Sequence, residues 1–212
     1  MMAKIHDPQT VLDLWFPDSA HETDPVLHRA FWTERMQGGM DARIIHDFAG
    51  LTLAAATGLL DHWAETPRGR LALLIALDQF PRSLWRDTPA AFAQDIKATR
   101  LALDGLANGH FAPLAPREQM FYVIAISHCE GPDHLERMRM LVPIVEDIAA
   151  RLPDTIAGSR EVLLGQHARV TSVVERFGRH PHRNPVLGRP SSAEEEAYIA
   201  TGDFPHVRQP GQ

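Results

Sequence analysis

The chain is poor in the features that cross-link a protein or insert it into a membrane. Its 212 residues include one cysteine, Cys129, which excludes an intrachain disulfide and is typical of a reducing compartment. Its longest apolar runs, such as residues 71–77, are far shorter than the ~20 residues that span a bilayer. Residues 1–8 lack the apolar run of a signal peptide. We therefore expect a soluble, cytoplasmic protein.

Familiar catalytic signatures are also missing. The sequence contains no GxSxG nucleophile elbow, no GxxxxGKS/T phosphate loop, no GxGxxG dinucleotide motif, no HExxH and no CxxC. No stretch alternates between apolar and polar residues as a strand does, and the tetratricopeptide signature, with its repeat of about 34 residues, is absent. We expect no cofactor and no metal, and the sequence leaves open whether the protein is an enzyme.

Acidic residues outnumber basic ones over the whole chain, but one stretch is basic. The formal net charge is −6, which argues against nonspecific binding to nucleic acid or to an anionic membrane, since both need a basic face. Residues 176–189 reverse this sign, with four arginines and no acid. We expect this stretch to form the wall of a polar pocket. Nothing in the sequence argues for an oligomer.

Helix starts are abundant. A capping residue followed by proline suits a first helical turn, because the cap accepts an orphan amide and proline has no amide to leave unpaired. Such pairs are Asp7-Pro8, Asp24-Pro25, Thr66-Pro67 and Thr88-Pro89. We predict one all-α domain over residues 1–212, with about nine helices in antiparallel hairpins and a loose tail at residues 203–212.

Other signals refine the helix boundaries and faces. Asp41 is expected to cap a helix, Ala115-Pro116 to start one, and Ser191 with Glu194 to form a capping box for the last. Pro143 is expected to kink a helix and Gly178 to end one. Residues 71–77 predict a central helix, apolar nearly all round. Two further apolar stripes are predicted, one of Phe92, Ile96, Thr99 and Leu103, the other of Leu163, Leu164, His167, Val170, Thr171 and Val174.

Two acids near the predicted core need partners. Asp78 follows the fully apolar run, and Asp is seldom buried unpaired; Arg82 lies four residues on. Asp95 borders the core face of its helix and could pair with Arg82 or with an arginine of residues 176–189. A structural ion pair is the favoured interpretation for each acid.

Two histidines fall on apolar helix faces. His128 points inward where a helix runs out, with Glu130 close by, so a functional and a structural role are equally favoured. His167 lies on a buried stripe and is as well explained by a core hydrogen bond as by a place in the pocket. Cys129 is interpreted as packing.

The arginine-rich stretch offers Arg179, His182, Arg183 and Asn184 as ligand-binding candidates. A guanidinium group holds two oxygens at once and stays charged, so it suits a carboxylate or a phosphate. The HxH pair of His180 and His182 is a weak metal signal, because two ligands are too few and the arginines repel cations. Alternatively, the arginines only fix a long loop by bonding helix carbonyls and acids.

These motifs together resemble the bacterial family called domain of unknown function 924. The resemblance covers almost the whole chain. It implies an all-α, tetratricopeptide-like shape and no established activity. In that family the position of His180 is usually aromatic, which weakens the metal interpretation. The residues that carry the resemblance are Leu77-Asp78-Gln79-Phe80-Pro81-Arg82, residues 88–95, His128-Cys129-Glu130, residues 176–184, Leu187-Gly188-Arg189 and Ser191, Glu194 and Glu195.

Three hypotheses for function follow. The favoured one is a pocket that binds a small anionic molecule or an acidic peptide terminus. The second is a hydrolase with a histidine general base oriented by a carboxylate; its candidates are His182, His128, Glu130 and Asp78. The third is a purely structural ion-pair network in a protein-interaction scaffold. The ligand-binding candidates are Arg82, Asp95, His167, Arg179, His182, Arg183 and Asn184.

Overall fold

The computed structural model describes residues 6–17 and 19–204. Within these ranges the chain is all-α and contains no strand. Ten helices have five or more residues, against about nine expected. The twelve α-helical segments are α1 Pro8–Trp15, α2 Pro25–Met36, α3 Asp41–Arg43, α4 Ala49–Ala56, α5 Pro67–Asp78, α6 Phe80–Leu84, α7 Asp95–Ala107, α8 Pro116–His128, α9 His134–Ala150, α10 Gly158–Phe177, α11 Asn184–Leu187 and α12 Ala193–Ala200.

Three of the four cap-proline pairs act as expected. Asp7 accepts from the amide of Gln9, Asp24 from Val26 and Leu27, and Thr66 from Gly69. The pair Thr88-Pro89 instead starts a short 3-10 helix, Pro89–Phe92, and α7 begins only at Asp95. Ala115-Pro116 starts α8, where Glu118 Oε2 accepts from the Ala115 amide at 3.0 Å.

Two predicted caps are wrong. Asp41 is the first residue of α3 rather than its cap, and its carboxylate accepts two hydrogen bonds from Arg86 Nη2 at 2.9 Å. The last capping box is displaced by one residue: Ser192 Oγ accepts from the Glu195 amide, and Glu195 Oε2 accepts from the Ser192 amide. The displacement lets the buried Glu195 also receive the guanidinium group of Arg179.

The core is built around α5. Residues 71–77 are at most 1% exposed, and α5 packs against α1, α4, α7 and α8. The aromatic ring of Trp15 from α1 contacts those of Phe80 and Phe121. The central helix predicted from the apolar run is confirmed.

Two predicted apolar stripes are partly wrong. Ile96 is 75% exposed. Thr99 is buried as predicted, but its buried neighbours on α7 are Ala98 and Ala102. On α10, Val170 and Val174 are buried while Leu164 is 40% exposed. Pro143 lies inside α9.

The chain turns sharply after α10. Gly178 ends that helix with φ 69°, in the left-handed region that glycine adopts without a Cβ penalty. The turn directs the following residues back across the ends of other helices. Residues 178–192, called here the 178–192 segment, contain the 3-10 turn Pro181–Arg183 and α11.

The chain ends are only partly described. Asp203 is tied to α10, since its main-chain carbonyl accepts from Arg169 Nη2 at 2.8 Å. The remainder of the predicted tail, residues 205–212, and the N-terminal residues 1–5 considered for a signal peptide lie outside the described residues. In the described part of the chain, every helix is too short or too polar to cross a membrane.

Candidate functional site

Four distant parts of the chain meet at one end of the helices. They are the C-terminus of α5 with the adjoining α6, the start of α7, the C-terminus of α8 with the residues just after it, and the 178–192 segment. Hydrogen bonds and ion pairs connect their charged side chains and one histidine. We call this group the polar cluster; it comprises Asp78, Arg82, Asp95, His128, Glu130, Arg183 and Arg189.

Asp78 is the most enclosed acid of the cluster, at 2% exposed. His128 Nδ1 lies 2.9 and 3.1 Å from its two carboxylate oxygens, Arg82 Nη1 lies 3.2 Å from Oδ1, and the Gln79 amide donates to Oδ2. Burial opposes ionisation, but Arg82 and His128 together hold the pKa of Asp78 well below its usual range. The carboxylate is therefore ionised at neutral pH.

His128 is held as a neutral ring. Burial and the charge of Arg82 lower its pKa to about 4, although Asp78 acts in the opposite direction. At neutral pH its Nδ1 hydrogen therefore points at Asp78, which fixes the tautomer and the ring orientation. An Asp–His pair of this kind is the arrangement that orients a general base.

Asp95 links two arginines from different parts of the chain. Arg82 Nη2 donates to both of its oxygens at 2.9 and 3.0 Å. Arg183 Nη1 donates to Oδ2 at 3.2 Å and to the His128 carbonyl at 2.8 Å. Both guanidinium groups also lie over the Phe92 ring, with Cζ 5.7 and 4.6 Å from its centroid, a favourable cation–π geometry.

Glu130 holds the 178–192 segment from the other side. Its Oε1 accepts from the His180 amide at 2.7 Å and from Arg189 Nη2 at 3.2 Å, and its Oε2 accepts from Arg189 Nη1. Burial raises the pKa of Glu130, but Arg189 and the His180 amide outweigh it, so the net shift is downward. Arg189 Nε donates to Asn184 Oδ1 at 3.1 Å, which brings the fully buried Asn184 into the network.

Three histidines pack beside the cluster. The ring of His180 lies 5.1 Å from that of His134 and 5.6 Å from that of His182. His134 Nε2 lies 2.9 Å and His180 Nε2 3.3 Å from the Ser127 carbonyl. Burial lowers all three pKa values, and the neighbouring Arg183 helps bring that of His182 to about 4. These imidazoles are neutral near neutral pH.

Most of the candidate residues come together, and two do not. Arg179 pairs with Glu195 and the Pro190 carbonyl rather than with an acid of the cluster. His167 Nε2 lies 3.1 Å from the Met138 carbonyl and lines a separate groove between α9 and α10. Cys129 is buried, as expected for a packing residue.

The candidate residues chosen from the sequence did not include Arg189 or His134, which both belong to this region. Arg189 could have been found, since it belongs to the same four-arginine stretch as Arg183. His134 carries no signal beyond its place after Gly131-Pro132 at the start of α9. In the described ranges, no group of three or more His, Cys, Asp or Glu side chains is arranged to hold a metal ion.

The fold and the cluster define an all-α protein whose helix ends are joined by a partly buried network of ion pairs. The chain belongs to a family of bacterial proteins of unknown function, DUF924, whose model matches residues 11–203. The resemblance seen in the motifs is thereby confirmed. The solved structure of a protein of unknown function from Agrobacterium tumefaciens is similar, with 27% identity, a TM-score of 0.65, and coverage of 92% of this chain and 97% of that one. No curated protein matches the chain.

Proposed function

We propose that this protein is a helical scaffold in which the polar cluster anchors the 178–192 segment to the ends of α5, α7 and α8. The observation that supports this role most directly is the pairing of the arginines. Arg82 and Arg183 share Asp95, and Arg189 is held by Glu130. Outside the cluster, Arg179 is held by Glu195 and Arg176 by Glu194.

Charge balance favours the same role. The cluster contains three carboxylates, of Asp78, Asp95 and Glu130, and three guanidinium groups, so its formal charges cancel when His128 is neutral. An anion entering from solvent would have to displace a carboxylate already held by a guanidinium group. Arg183 is 5% exposed, which leaves it little surface to offer a ligand. The anion-binding hypothesis favoured from the sequence is therefore the weaker candidate.

Arg183→Met tests the anchoring role. The substitution leaves part of the negative charge on Asp95 uncompensated and the His128 carbonyl without its donor, so we expect a loss of about 3–5 kcal/mol in the free energy of unfolding. The matched control is Arg176→Met, which breaks an exposed pair with Glu194 (side chains 53% and 60% exposed) and is expected to cost at most about 1 kcal/mol. Urea unfolding measures both. Equal losses would contradict the anchoring role.

Anion binding stays a second candidate because of two partly exposed guanidinium groups. The side chains of Arg82 and Arg189 are 20% and 24% exposed. Thermal unfolding with inorganic phosphate or citrate separates the two roles. Anchoring predicts the same change in melting temperature for the wild type and Arg189→Gln, because a general salt effect acts on both. A rise that Arg189→Gln abolishes and Arg176→Gln leaves intact would establish anion binding in its place.

The hydrolase hypothesis is supported by one arrangement, the Asp78–His128 pair. The pKa of His128, about 4, sets the pH range in which the rate of such a hydrolysis would change. A general base must be neutral, so the rate of any hydrolysis that depends on His128 is expected to fall below about pH 4 rather than below the usual value for histidine, about 6.5.

A further inference from the structure

A groove between α9 and α10 lies outside the polar cluster. It has a volume of about 440 Å³, within the range of about 300–1,000 Å³ of small-molecule sites. Its apolar walls are Val142, Val145, Leu164 and Ala168. Val142 and Leu164 are 39% and 40% exposed, so apolar surface is open to solvent here. None of the residues that line the groove belongs to the cluster.

The charges at the groove are of one sign. Its lining includes two carboxylates, of Glu146 and Glu175, and no lysine or arginine. Glu175 pairs with Arg139 Nη2 at 2.9 Å. Glu146 takes part in no ion pair with another described residue. The carboxylate of Glu146 therefore places one unpaired negative charge beside the apolar wall of the groove.

His167 lines the same groove. Its Nε2 lies 3.1 Å from the Met138 carbonyl, which can only accept, so Nε2 carries the hydrogen and Nδ1 carries the lone pair. Burial lowers the pKa of His167 despite this hydrogen bond, so the ring adds no positive charge at neutral pH. Thr171 adds a hydroxyl to the lining.

We propose that this groove binds a small amphiphilic amine, with an apolar body against Val142, Val145, Leu164 and Ala168 and one protonated amino group at Glu146. Charge complementarity selects this class of ligand. A carboxylate head would meet Glu146 with the same charge, and an uncharged head would gain no electrostatic attraction to this exposed carboxylate. The site is independent of the anchoring role of the cluster.

Three probes with the same six-carbon chain test the proposal: hexylammonium, hexanol and hexanoate. Amide chemical shifts of the 15N-labelled protein report binding at the groove residues. We expect hexylammonium to bind most tightly, hexanol next and hexanoate most weakly. Tighter or equal binding of hexanoate would overturn the proposal. The absence of shifts at the amides of residues 142, 144–146 and 164–175, up to the solubility limit of hexylamine, would do the same.

Variants separate the head group from the chain. Glu146→Gln is expected to weaken hexylammonium binding about two- to fivefold, the value of an exposed ion pair, and to leave hexanol binding unchanged. Glu136→Gln, an exposed glutamate of α9 outside the groove, is the control. Ala168→Leu, at an exposed position, fills the groove and is expected to abolish binding of all three probes. Unchanged hexylammonium binding in Glu146→Gln, or a concentration-dependent dimer that buries the groove, would overturn the proposal.

Discussion

Gly69 lies in the first turn of α5, where a larger residue does not fit. A Cβ at this position would lie 2.3 Å from the Trp63 carbonyl oxygen, a main-chain atom that cannot move aside cheaply. We expect Gly69→Ala to lower the free energy of unfolding by about 1–3 kcal/mol, the usual cost of overpacking. Gly165→Ala is the control, because a Cβ there meets nothing within 4 Å and alanine favours α10 by about 0.5–1 kcal/mol. Chemical denaturation measures the free energy of unfolding of both variants. A Gly69→Ala variant as stable as the wild type would contradict the close contact of Gly69 with the Trp63 carbonyl.

The buried histidines predict how stability depends on pH. The pKa values of His128 and His182 are about 4 in the folded chain and about 6.5 when unfolded. The folded state therefore binds fewer protons, and stability is fully present above pH 6.5 and falls as the pH drops from 6.5 towards 4.

His182→Phe tests this dependence. It removes one such group while keeping a ring against Phe204. In this pH interval the slope of unfolding free energy against pH is expected to decrease by at most about 1.4 kcal/mol per pH unit. Urea unfolding at several pH values gives the slope, and an identical slope in wild type and variant would contradict the assignment.

At the scale of single elements, the adjacent glutamates of α12 have different roles. Glu195 caps the helix and holds Arg179, whereas Glu194 forms an exposed pair with Arg176. We expect Glu195→Ala to cost about 1–2 kcal/mol and Glu194→Ala at most about 0.5 kcal/mol. Thermal unfolding compares them. A larger loss of stability in Glu194→Ala than in Glu195→Ala would support the capping box of Ser191 and Glu194 that the sequence predicted.

The helices were predictable where their signals are local. Asp7, Asp24 and Thr66 each satisfy an amide two or three residues away, so a short window of sequence contains the whole interaction. The boundaries that failed depend on distant partners. Asp41 pairs with Arg86, and Glu195 pairs with Arg179. Neither contact can be predicted from the neighbouring residues in the sequence.

At the scale of the whole molecule, the membership of the cluster was more predictable than its role. An acid after a fully apolar helix needs a partner, and this identified Asp78 with Arg82. His128 was expected beside Glu130, but its ring lies against Asp78 instead. The charge of residues 176–189, considered alone, gave no indication of its partners. Its neutralising carboxylates, Asp95, Glu130, Glu194 and Glu195, lie outside that stretch, and only the fold brings them to it.

Amide hydrogen exchange over the 178–192 segment tests the anchoring role most directly. In Arg183→Met, and in Arg189→Gln should the first variant unfold, we expect the amides of this segment, including that of His180, to exchange about tenfold faster or more, while those of residues 71–77 keep their wild-type rates. Unchanged exchange in the segment of a folded variant would contradict the account.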